Sequence, residues 1–583
     1  MLAKLGGMAT TTVSSFAKAL ALGEIHEDLV FPYPIPRGEE ADKVRGLIEA
    51  FRSYAEENID PLKIDESGEI PDQVYRDLGD LGLMGLYVPE EYGGQGLSQT
   101  GYARVFEAIG QHDGSLTIGM GVHQSIGFKG IAMFGNDEQK ARFLPDLARG
   151  RKLAGFALTE PNAGSDAYNI ESRAVQQSDG SWVLNGEKRW IGNGCRGDVL
   201  TAFARAEVDG KDRHIALILE KGMEGLDQGG PRYKTLGLHG NHLCPVRFND
   251  VRVPPENVLG EPGEGFKIAM SILTNGRIGL GTGSVGLAKR LLDLAIGHVT
   301  ERRQFGKPLA DFDLVEDKIA WMVSYLFGLE SMAYLTTGLI DNGIEDYSLE
   351  SAMAKVSGTE FVWYQANRAF QLAGGEAYMH GSPYERILRD IRIFPIFEGA
   401  NDVLRSYVAL TALKPLGEEL SGLGELGLGD PIGSLGTLAE YAFGRVRREV
   451  APDSISRAHE SLSDLASPVG DQVKRFRDTG ESVLRKHGKG IVNQGMTHKR
   501  LADALADIYS QIAVLSRVTA IFEEQGAEAS GQERFIAETF CRRAASRVNS
   551  QLDQVERNDD DRMHSIARLA YKRGAYGYAL FED

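Results

Sequence analysis

One stretch of the 583-residue chain combines hydroxyl side chains with a proline and glycine turn, and such a combination can bind a ligand. The stretch runs from Phe156 to Asp166 and is predicted as a strand that ends in the turn, with Thr159 and Ser165 as its hydroxyls. Exposed backbone N–H groups and hydroxyls in a turn of this kind can bind an anionic or carbonyl-rich group. Taken alone, the stretch is more often an ordinary β-turn.

A second stretch offers a carboxylate for proton transfer. Glu398 follows Ile396 and Phe397 and precedes Gly399, so it stands where an apolar run changes into a turn. A lone glutamate is usually a solvated side chain. Partial burial at such a position would raise its pKa toward working pH, which is what a general base requires. Gly399 would let a substrate approach the backbone closely.

Other motifs that could carry chemistry lack the context they need. Matches to GxGxxG begin at Gly281 and Gly422, but neither follows a predicted strand or has the acidic residue of a dinucleotide-binding unit. The sequence has no Walker A motif and no HExxH pair. His239 and His242 lie in a glycine and asparagine loop, where we expect solvated histidines and no metal site.

Composition narrows the class of protein. The chain is 42% hydrophobic and 25% charged, which excludes a fully disordered polypeptide. Its net charge of −18 makes it a poor general binder of nucleic acid. It has no run of uncharged apolar residues long enough to predict a membrane-spanning helix. The irregular spacing of Cys195, Cys244 and Cys541 fits neither a disulfide framework nor a zinc site, so three unpaired thiols are expected.

The elements that must position the candidate residues follow from hydrophobic periodicity. Helical spacing dominates before about residue 155 and after about 262, whereas a period of two dominates between them. Because strands do not alternate with helices, a doubly wound dinucleotide fold is not expected. A capping box is predicted at Asn136–Gln139 and a tight hairpin turn at Asn185-Gly186. Further strands are predicted at Val199–Ala204, His214–Leu219 and Val246–Val253.

The fold class predicted from this pattern is mainly α with a central β domain. The predicted segments are an N-terminal arm (1–39), an N-terminal helical domain (40–155), a β domain (156–262), a helical bundle domain (263–415), a linker (416–430) and a C-terminal helical domain (431–583). The arm has no arginine before Arg37, unlike a transit peptide, so we expect an ordered or semi-ordered segment rather than a cleaved presequence.

Five separated motifs occur in an order that is specific to one family. They are Phe156–Asp166, Trp190–Gly194, Arg302–Gly306, Gln371–Gly375 and Ile396–Asp402. Over essentially its whole length the chain resembles the acyl-CoA dehydrogenase family. Four further segments are most similar to its very-long-chain and member-nine branch, namely the arm before Phe31-Pro-Tyr-Pro, His123–Gly130, Thr274–Arg277 and His487–Asn493. The resemblance implies an α domain, a β-barrel-like domain and a four-helix-bundle domain, here with an extra C-terminal helical domain.

The resemblance also implies an activity. It is the oxidation of long- or very-long-chain acyl-CoA to trans-2-enoyl-CoA by an FAD enzyme that passes electrons to an electron-transfer flavoprotein. Glu398 matches the family's base, which removes the α proton while a β hydride goes to flavin N5. No Asp or Glu lies between Gly265 and Arg277, where some relatives carry the base. The implied oxyanion donors are the Glu398 backbone N–H and a flavin ribityl hydroxyl.

Binding residues are carried over from the family position by position. The implied FAD contacts are Phe156, Leu158, Thr159, Gly164, Ser165, Trp190, Ile191, Gly192, Arg302, Gln304, Phe305, Phe312, Gln371, Gly375, Ala400, Asn401 and Asp402. The implied substrate contacts are Ser165, Thr274, Arg277 and Gly399. Arg302, Gln304 and Phe305 match residues that reach the FAD of a neighbouring subunit, which implies a homodimer at least.

Two positions depart from the family's pattern. Gly192 stands where the family usually has Thr or Ser, and Ala400 stands where it usually has Thr. Each change removes a hydroxyl but leaves backbone donors. An alternative function is therefore an FAD-binding assembly or scaffold protein with weak dehydrogenase activity. A flavin monooxygenase fits less well because Glu398 is retained, and a DNA-associated relative fits less well because the chain is acidic.

The residues beyond about 415 offer a further surface. A helical stripe lies beside three arginines: the stripe is Leu435, Leu438, Ala442 and Val446, and the arginines are Arg445, Arg447 and Arg448. Such a face suits either peripheral membrane contact through 430–455 or a helix docked on its own domain. Gly119 and Gly121 would leave either a deep acyl channel or a close helix contact. The expected location is the cytoplasm in a bacterium, with peripheral membrane contact open, or the mitochondrial matrix in a eukaryote.

Overall fold

The computed structural model describes residues 14–424 and 454–580. Its α-helices are α1 (Phe16–Ala21), α2 (Glu27–Val30), α3 (Gly38–Asn58), α4 (Pro61–Ser67), α5 (Asp72–Asp80), α6 (Gln99–His112), α7 (Gly114–Met120), α8 (Lys129–Phe134), α9 (Asp137–Ala148), α10 (Gly265–Glu301), α11 (Asp313–Asp341), α12 (Ser348–Ala373), α13 (Pro383–Ile391), α14 (Asn401–Gly424), α15 (Ser463–His487), α16 (Gly495–Gln525), α17 (Gly531–Glu556) and α18 (Asp560–Arg573). Its strands are β1 (Ala154–Ala157), β2 (Arg173–Gln176), β3 (Trp182–Gly192), β4 (Val199–Val208), β5 (Lys211–Glu220), β6 (Leu226–Asp227), β7 (Leu243–Val253), β8 (Arg303–Gln304) and β9 (Lys307–Pro308).

The chain folds into two compact units. The first comprises the described parts of 1–15, 28–404 and 513–540, and it contains every residue of the predicted site. The second comprises the described parts of 16–27, 405–512 and 541–583. Each unit is therefore built from segments that are far apart in the sequence.

Close helix packing in the first unit explains one of the glycine motifs. The match that begins at Gly281 lies in the middle of α10, which packs on α6. A Cβ at Gly286 would lie 2.1 Å from the carbonyl oxygen of Glu107, and a Cβ at Gly110 would lie 2.8 Å from the carbonyl of Gly283. The glycines let the two helix backbones approach each other, as in other small-residue contacts.

The β domain, in the same unit, is a mixed sheet of seven strands. Its main path is β1-β4-β2-β3-β7-β6, and β5 pairs with β4 off this path. β1 and β2 run parallel to β4, whereas the other pairs are antiparallel. The strands predicted within 199–204, 214–219 and 246–253 are confirmed, and each is longer than predicted.

The tight turn predicted at Asn185-Gly186 is wrong. Both residues lie inside strand β3, which pairs with β7 on either side of a register shift. Asn185 instead exchanges two 2.9 Å hydrogen bonds with Asp250, one of them from the Asp250 backbone N–H. A Cβ at Gly186 would lie 2.8 Å from the Cα of Ser172. The Asn-Gly pair thus marks a β-bulge, which accepts the same residue types as a turn.

Two predictions about helix ends have different outcomes. The capping box is confirmed, since the Asn136 side chain accepts the N–H of Gln139 at 2.8 Å and the Gln139 side chain accepts the N–H of Asn136 at 3.1 Å. The linker predicted from 416 does not begin there, because α14 continues to Gly424. Leu416 is fully buried, so apolar packing extends the helix into the predicted linker.

The prediction of three unpaired thiols is wrong for two of them. Cys195 and Cys244 form a disulfide with their Cα atoms 5.6 Å apart, whereas Cys541 is a buried free thiol. In the sheet, Ile191 of β3 lies opposite Cys244 of β7, and the turn after β3 brings Cys195 back beside it. A separation of 49 residues hides this neighbourhood in the sequence.

The two loop histidines are not simply solvated. His239 Nδ1 lies 2.9 Å from Asp65 Oδ1, and His242 Nε2 lies 3.0 Å from Glu69 Oε2. Within the part of the chain that the structure describes, no group of three or more His, Cys, Asp or Glu could hold a metal ion.

The second unit contains α15, much of α16 and α18. Ion pairs stabilise it, including Arg500 with Asp560 and Arg547 with Asp507, both at 2.6 Å. Of the described helices, α16 alone is long and apolar enough to cross a membrane, but most of its apolar window is buried inside the protein, as in a core helix. The stripe predicted at 435–446 lies outside the described residues.

Candidate functional site

The turn between α13 and α14 carries Glu398 in an unusual backbone conformation. Glu398 has a φ of +56° and Gly399 a φ of +93°. A left-handed residue other than glycine is strained by about 1–3 kcal/mol and persists only where its surroundings fix it. Such a strained turn marks a candidate functional site.

One oxygen of the Glu398 carboxylate is buried. Its Oε2 atom is shielded from solvent and has no hydrogen-bond partner among the described residues. Burial raises the pKa of Glu398 to about 7, against the opposing effect of the positive charges of Arg277 and Lys355. A carboxylate of this kind can take a proton near neutral pH.

Helix α10 forms the wall beside the carboxylate. A Cβ at Gly276 would lie 3.1 Å from Glu398 Oε2 and 2.7 Å from Ile126 Cγ2, so only glycine leaves the present space. The next residue, Arg277, is buried, and its Nε donates a 3.3 Å hydrogen bond to the Glu398 carbonyl. The Thr274 hydroxyl bonds to the Met270 carbonyl of its own helix at 2.9 Å.

Helix α12 forms the opposite support. Lys355 Nζ donates 2.8 Å hydrogen bonds to the Gly399 carbonyl and to Asn401 Oδ1. Asn401 is buried and directs its amide to Thr359 Oγ1 at 3.0 Å, so it braces the turn. Asp402, the next residue, is exposed.

The β domain contributes a second set of predicted residues. Phe156 and Leu158 belong to the apolar core beneath the turn that follows β1. The Thr159 and Ser165 hydroxyls have no hydrogen-bond partner among the described residues, and a Cβ at Gly164 would meet open space. Trp190 has a φ of +58° and is 53% exposed, with the Arg189 guanidinium 4.6 Å from its ring centre.

The end of β3 explains one departure from the family's pattern. Ile191 is buried in the sheet core, and Gly192 follows it. A Cβ at Gly192 would lie 2.9 Å from both γ carbons of Val122, which belongs to the π-helical turn Gly121–Gly127. The close approach of this turn leaves no room for a threonine or serine. For Ala400, the other departure, nothing in the structure gives a comparable reason.

A third set of predicted residues is exposed and separate from the turn at Glu398. Phe305, with a φ of +50°, is 94% exposed, and its ring lies 6.2 Å from that of Phe312. Arg302, Gln304, Gln371 and Gly375 are exposed as well, and the Arg302 guanidinium has no partner in the described chain. Among the described residues no hydrogen bond joins this set to Glu398 or to Thr159.

Two buried lysines near the site were not predicted. Lys355 is one, and Lys188 of β3 is the other. Lys188 Nζ lies 2.6 Å from Glu160 Oε1 and donates a 3.1 Å hydrogen bond to the Leu158 carbonyl. The available signal was a charged residue at an inward position of an alternating strand, or within an apolar helix.

The polar groups left without partners fit a large anionic cofactor. Free hydroxyls at Thr159 and Ser165 and the indole face of Trp190 can bind phosphate, hydroxyl and ring groups, and the guanidinium of Arg302, in the separate exposed set, can bind a phosphate. Open space at Gly164 and Gly375 leaves room for such a group. These residues therefore fit FAD.

Comparisons with known proteins agree with this geometry. Family models of the acyl-CoA dehydrogenase N-terminal, middle and C-terminal domains match residues 41–151, 155–251 and 263–413. A model described as "ACAD9/ACADV, C-terminal domain" matches 460–576. The human very long-chain specific acyl-CoA dehydrogenase, a mitochondrial enzyme, is 39% identical over 96% of this chain and 88% of its own length.

Bacterial proteins are similar over nearly the same length. A probable acyl-CoA dehydrogenase of Bacillus subtilis is 32% identical over 93% of this chain and 92% of its own. The crystal structure of a Bacillus anthracis acyl-CoA dehydrogenase complexed with FAD is 29% identical, covers 97% of this chain and 96% of its own, and has a TM-score of 0.81. With so much of its length and its domain order shared, the chain belongs to the FAD-dependent acyl-CoA dehydrogenase family and to the branch that carries the additional C-terminal domain.

Proposed function

We propose that this enzyme converts long- or very-long-chain acyl-CoA to trans-2-enoyl-CoA, the first step of fatty-acid β-oxidation, with Glu398 as the general base. The observation that carries the proposal is the buried Glu398 carboxylate, whose Oε2 has no partner and whose pKa is raised to about 7. A carboxyl group with this pKa is about half ionised near pH 7, so it can both accept and hold a proton there.

Each group in and around the turn has its own proposed role in proton abstraction. Ionised Glu398 receives the substrate's α proton at a carboxylate oxygen, beside the wall formed by Gly276 and Ile126. The Glu398 backbone N–H is the protein's proposed donor to the thioester oxygen as enolate character develops. Arg277 and Lys355 donate hydrogen bonds to the carbonyls of Glu398 and Gly399. These bonds hold the backbone N–H and the carboxylate of Glu398 in fixed positions relative to each other. Bound FAD supplies the acceptor for the β hydride.

The proposed cofactor contacts come from two copies of the chain. Thr159, Ser165 and Trp190 of one copy would hold the flavin, and Arg302, Gln304 and Phe305 would reach the FAD of the other copy. The adenosine side would meet Phe312, Gln371 and Gly375. The exposure of Arg302, Gln304 and Phe305 within one copy supports a homodimer. Electrons would then pass to an electron-transfer flavoprotein.

The proposed preference for long acyl chains rests on similarity to a known enzyme and not on Gly119 and Gly121. A Cβ at Gly119 would lie 2.5 Å from the Tyr75 hydroxyl, and a Cβ at Gly121 would lie 3.3 Å from the Phe106 ring. Both glycines thus make close contacts and do not open a channel in the present conformation. Support for long substrates comes from the human very long-chain relative.

Anaerobic titration of the flavin with acyl-CoAs of increasing length tests the proposal. Palmitoyl-CoA should bleach the flavin of the wild type, and butyryl-CoA should do so poorly. Glu398→Gln should lower turnover with an artificial acceptor by about 10²–10⁴-fold while flavin content is kept. Glu138→Gln, an exposed glutamate on α9, is the control and should retain full activity.

Each other outcome has a defined meaning. Full turnover by Glu398→Gln would place the base elsewhere. A flavin-loaded wild type that no acyl-CoA bleaches would favour the assembly or scaffold role. Whether 430–455 contacts a membrane or docks on its own domain is tested separately by liposome co-sedimentation. Equal binding by the wild type and a 430–455 deletion would exclude the membrane contact.

A further inference from the structure

Lys355 is one of the largest side chains that the protein buries completely. It lies on α12, and its ammonium group donates to the Gly399 carbonyl and to Asn401 Oδ1 at 2.8 Å each. Removing an ammonium from water costs several kcal/mol unless hydrogen bonds and opposite charge compensate it. An uncharged side chain would fill the same space at lower cost, so the charge itself calls for an explanation.

Two partners of Lys355, the Gly399 carbonyl and the Asn401 side chain, belong to the turn that carries Glu398 or brace it. Asn401 accepts from Lys355 and donates to Thr359 Oγ1 at 3.0 Å and to Glu360 Oε1 at 3.1 Å. The Asn401 N–H also closes the turn onto the Pro395 carbonyl at 2.9 Å. The left-handed residues Glu398 and Gly399 are thus enclosed by contacts from α12.

We propose that Lys355 is a positioning residue for the dehydrogenation, which holds the 398–401 turn through Gly399 and Asn401 and places a fixed positive charge beside Glu398. The role of Lys355 in catalysis rests on the proposed function, whereas its effect on the protonation of the Glu398 carboxylate does not. Arg277 performs the matching task from α10 by holding the Glu398 carbonyl.

The charges around Glu398 define what loss of Lys355 would do. Arg277 on α10 and Lys355 on α12 both lower the pKa of Glu398 against the larger effect of burial. Glu360, also on α12, reaches the turn through the Asn401 amide, and Asp402 on the same segment is exposed. Without Lys355, Arg277 alone would oppose burial, and Glu398 would be protonated at higher pH.

The test measures the protonation of Glu398 directly. Infrared difference spectra between each protein and its Glu398→Gln version isolate the carboxyl band, which is followed against pH in FAD-loaded enzyme without substrate. Lys355→Met should move the midpoint upward from about 7 by about one pH unit. It should also lower kcat/KM about tenfold at neutral pH, and the loss should shrink at alkaline pH.

A control on another helix separates the position of Lys355 from the general cost of losing a largely buried, paired charge. Lys289, on α10, pairs with Glu107 at 2.6 Å and Glu330 at 2.5 Å. Lys289→Met should lower the melting temperature and leave the Glu398 midpoint unchanged. Should Lys355→Met not fold, Lys355→Gln keeps an amide donor without the charge and should show the same upward movement.

The outcomes distinguish this inference from the proposed function. A folded Lys355→Met or Lys355→Gln protein with an unmoved midpoint overturns the positioning role, whatever the wild type catalyses. A moved midpoint in a protein whose wild type does not bleach with any acyl-CoA supports the positioning role and refutes the dehydrogenase proposal.

Discussion

A single glycine on α10 sets the room available to the Glu398 carboxylate. Gly276→Ala would place a methyl group 3.1 Å from Oε2 and 2.7 Å from Ile126 Cγ2. We expect the carboxylate to move by a fraction of an ångström to about 1 Å and kcat/KM to fall about 10- to 100-fold, because proton transfer depends steeply on position. Steady-state kinetics with palmitoyl-CoA measures this.

The control for that variant lies on the same helix. A Cβ at Gly297 would meet nothing within 4 Å, so Gly297→Ala should keep full activity and stabilise the exposed helix by up to about 1 kcal/mol. Equal activity of the Gly276→Ala enzyme and the wild type would show that α10 does not confine the base.

At this residue scale the family resemblance was more informative than local context. It singled out Glu398 as the base, whereas an apolar run before a glycine would by itself leave a lone glutamate more often solvated. Lys355 and Lys188 could not be predicted, because their partners at Gly399 and Glu160 are chosen by the packing of distant elements. Gly192 became explicable only when the structure placed Val122 against it.

At the scale of elements, one buried ion pair fixes strand β3 to the turn after β1. Lys188→Met would leave Glu160 without its cation, and removal of one partner of a buried pair costs about 3–5 kcal/mol. The double variant Lys188→Met/Glu160→Gln keeps an acceptor for the Ser172 N–H, which Glu160 now accepts at 3.0 Å. We therefore expect the single variant to melt lower than the double variant and to hold less flavin, as calorimetry and flavin absorbance would measure. Equal melting of the two variants would contradict this account.

A second element-scale contact joins α13 to a loop of the β domain. Asp390 accepts the N–H of Leu238 at 2.5 Å, and Leu238 has a φ of +54°. Burial, followed by the charge of Asp113, raises the pKa of Asp390 to about 8. Because this folded-state value exceeds the unfolded one, the group contributes a loss of stability as pH rises from about 4 to about 8.

The variant Asp390→Asn removes this titration and keeps an acceptor for Leu238. We expect its melting temperature to exceed that of the wild type by more at about pH 9 than at about pH 5. Calorimetry at the two pH values measures the difference. A constant difference would mean that Asp390 is ionised in the folded protein across the whole range.

Element types were more predictable than their pairings. Alternation located the strands at 199–204, 214–219 and 246–253, and Asn136 and Gln139 marked a helix start. The Asn-Gly pair at 185–186 misled because a turn and a β-bulge favour the same residues. The Cys195–Cys244 disulfide was missed because the number of residues between two cysteines does not reveal that β3 pairs with β7.

At the scale of the whole molecule, the predicted cofactor residues form two groups that the described part of one copy does not join. Phe305 is the clearest member of the second group, since its ring is 94% exposed on a left-handed backbone and buries little surface within its own chain. Phe305→Asn keeps a residue that tolerates this conformation and removes the ring. The variant should fold with an unchanged circular dichroism spectrum.

The expected loss is therefore in assembly and cofactor, not in folding. We expect Phe305→Asn to retain less FAD than the wild type after gel filtration and to dissociate at higher protein concentration, as light scattering would detect. Val175→Thr, at an exposed apolar residue of β2, is the control and should match the wild type in both respects. Full flavin content and unchanged mass in the Phe305→Asn protein would show that this turn does not contact a neighbouring copy, and the second group of residues would then need another explanation.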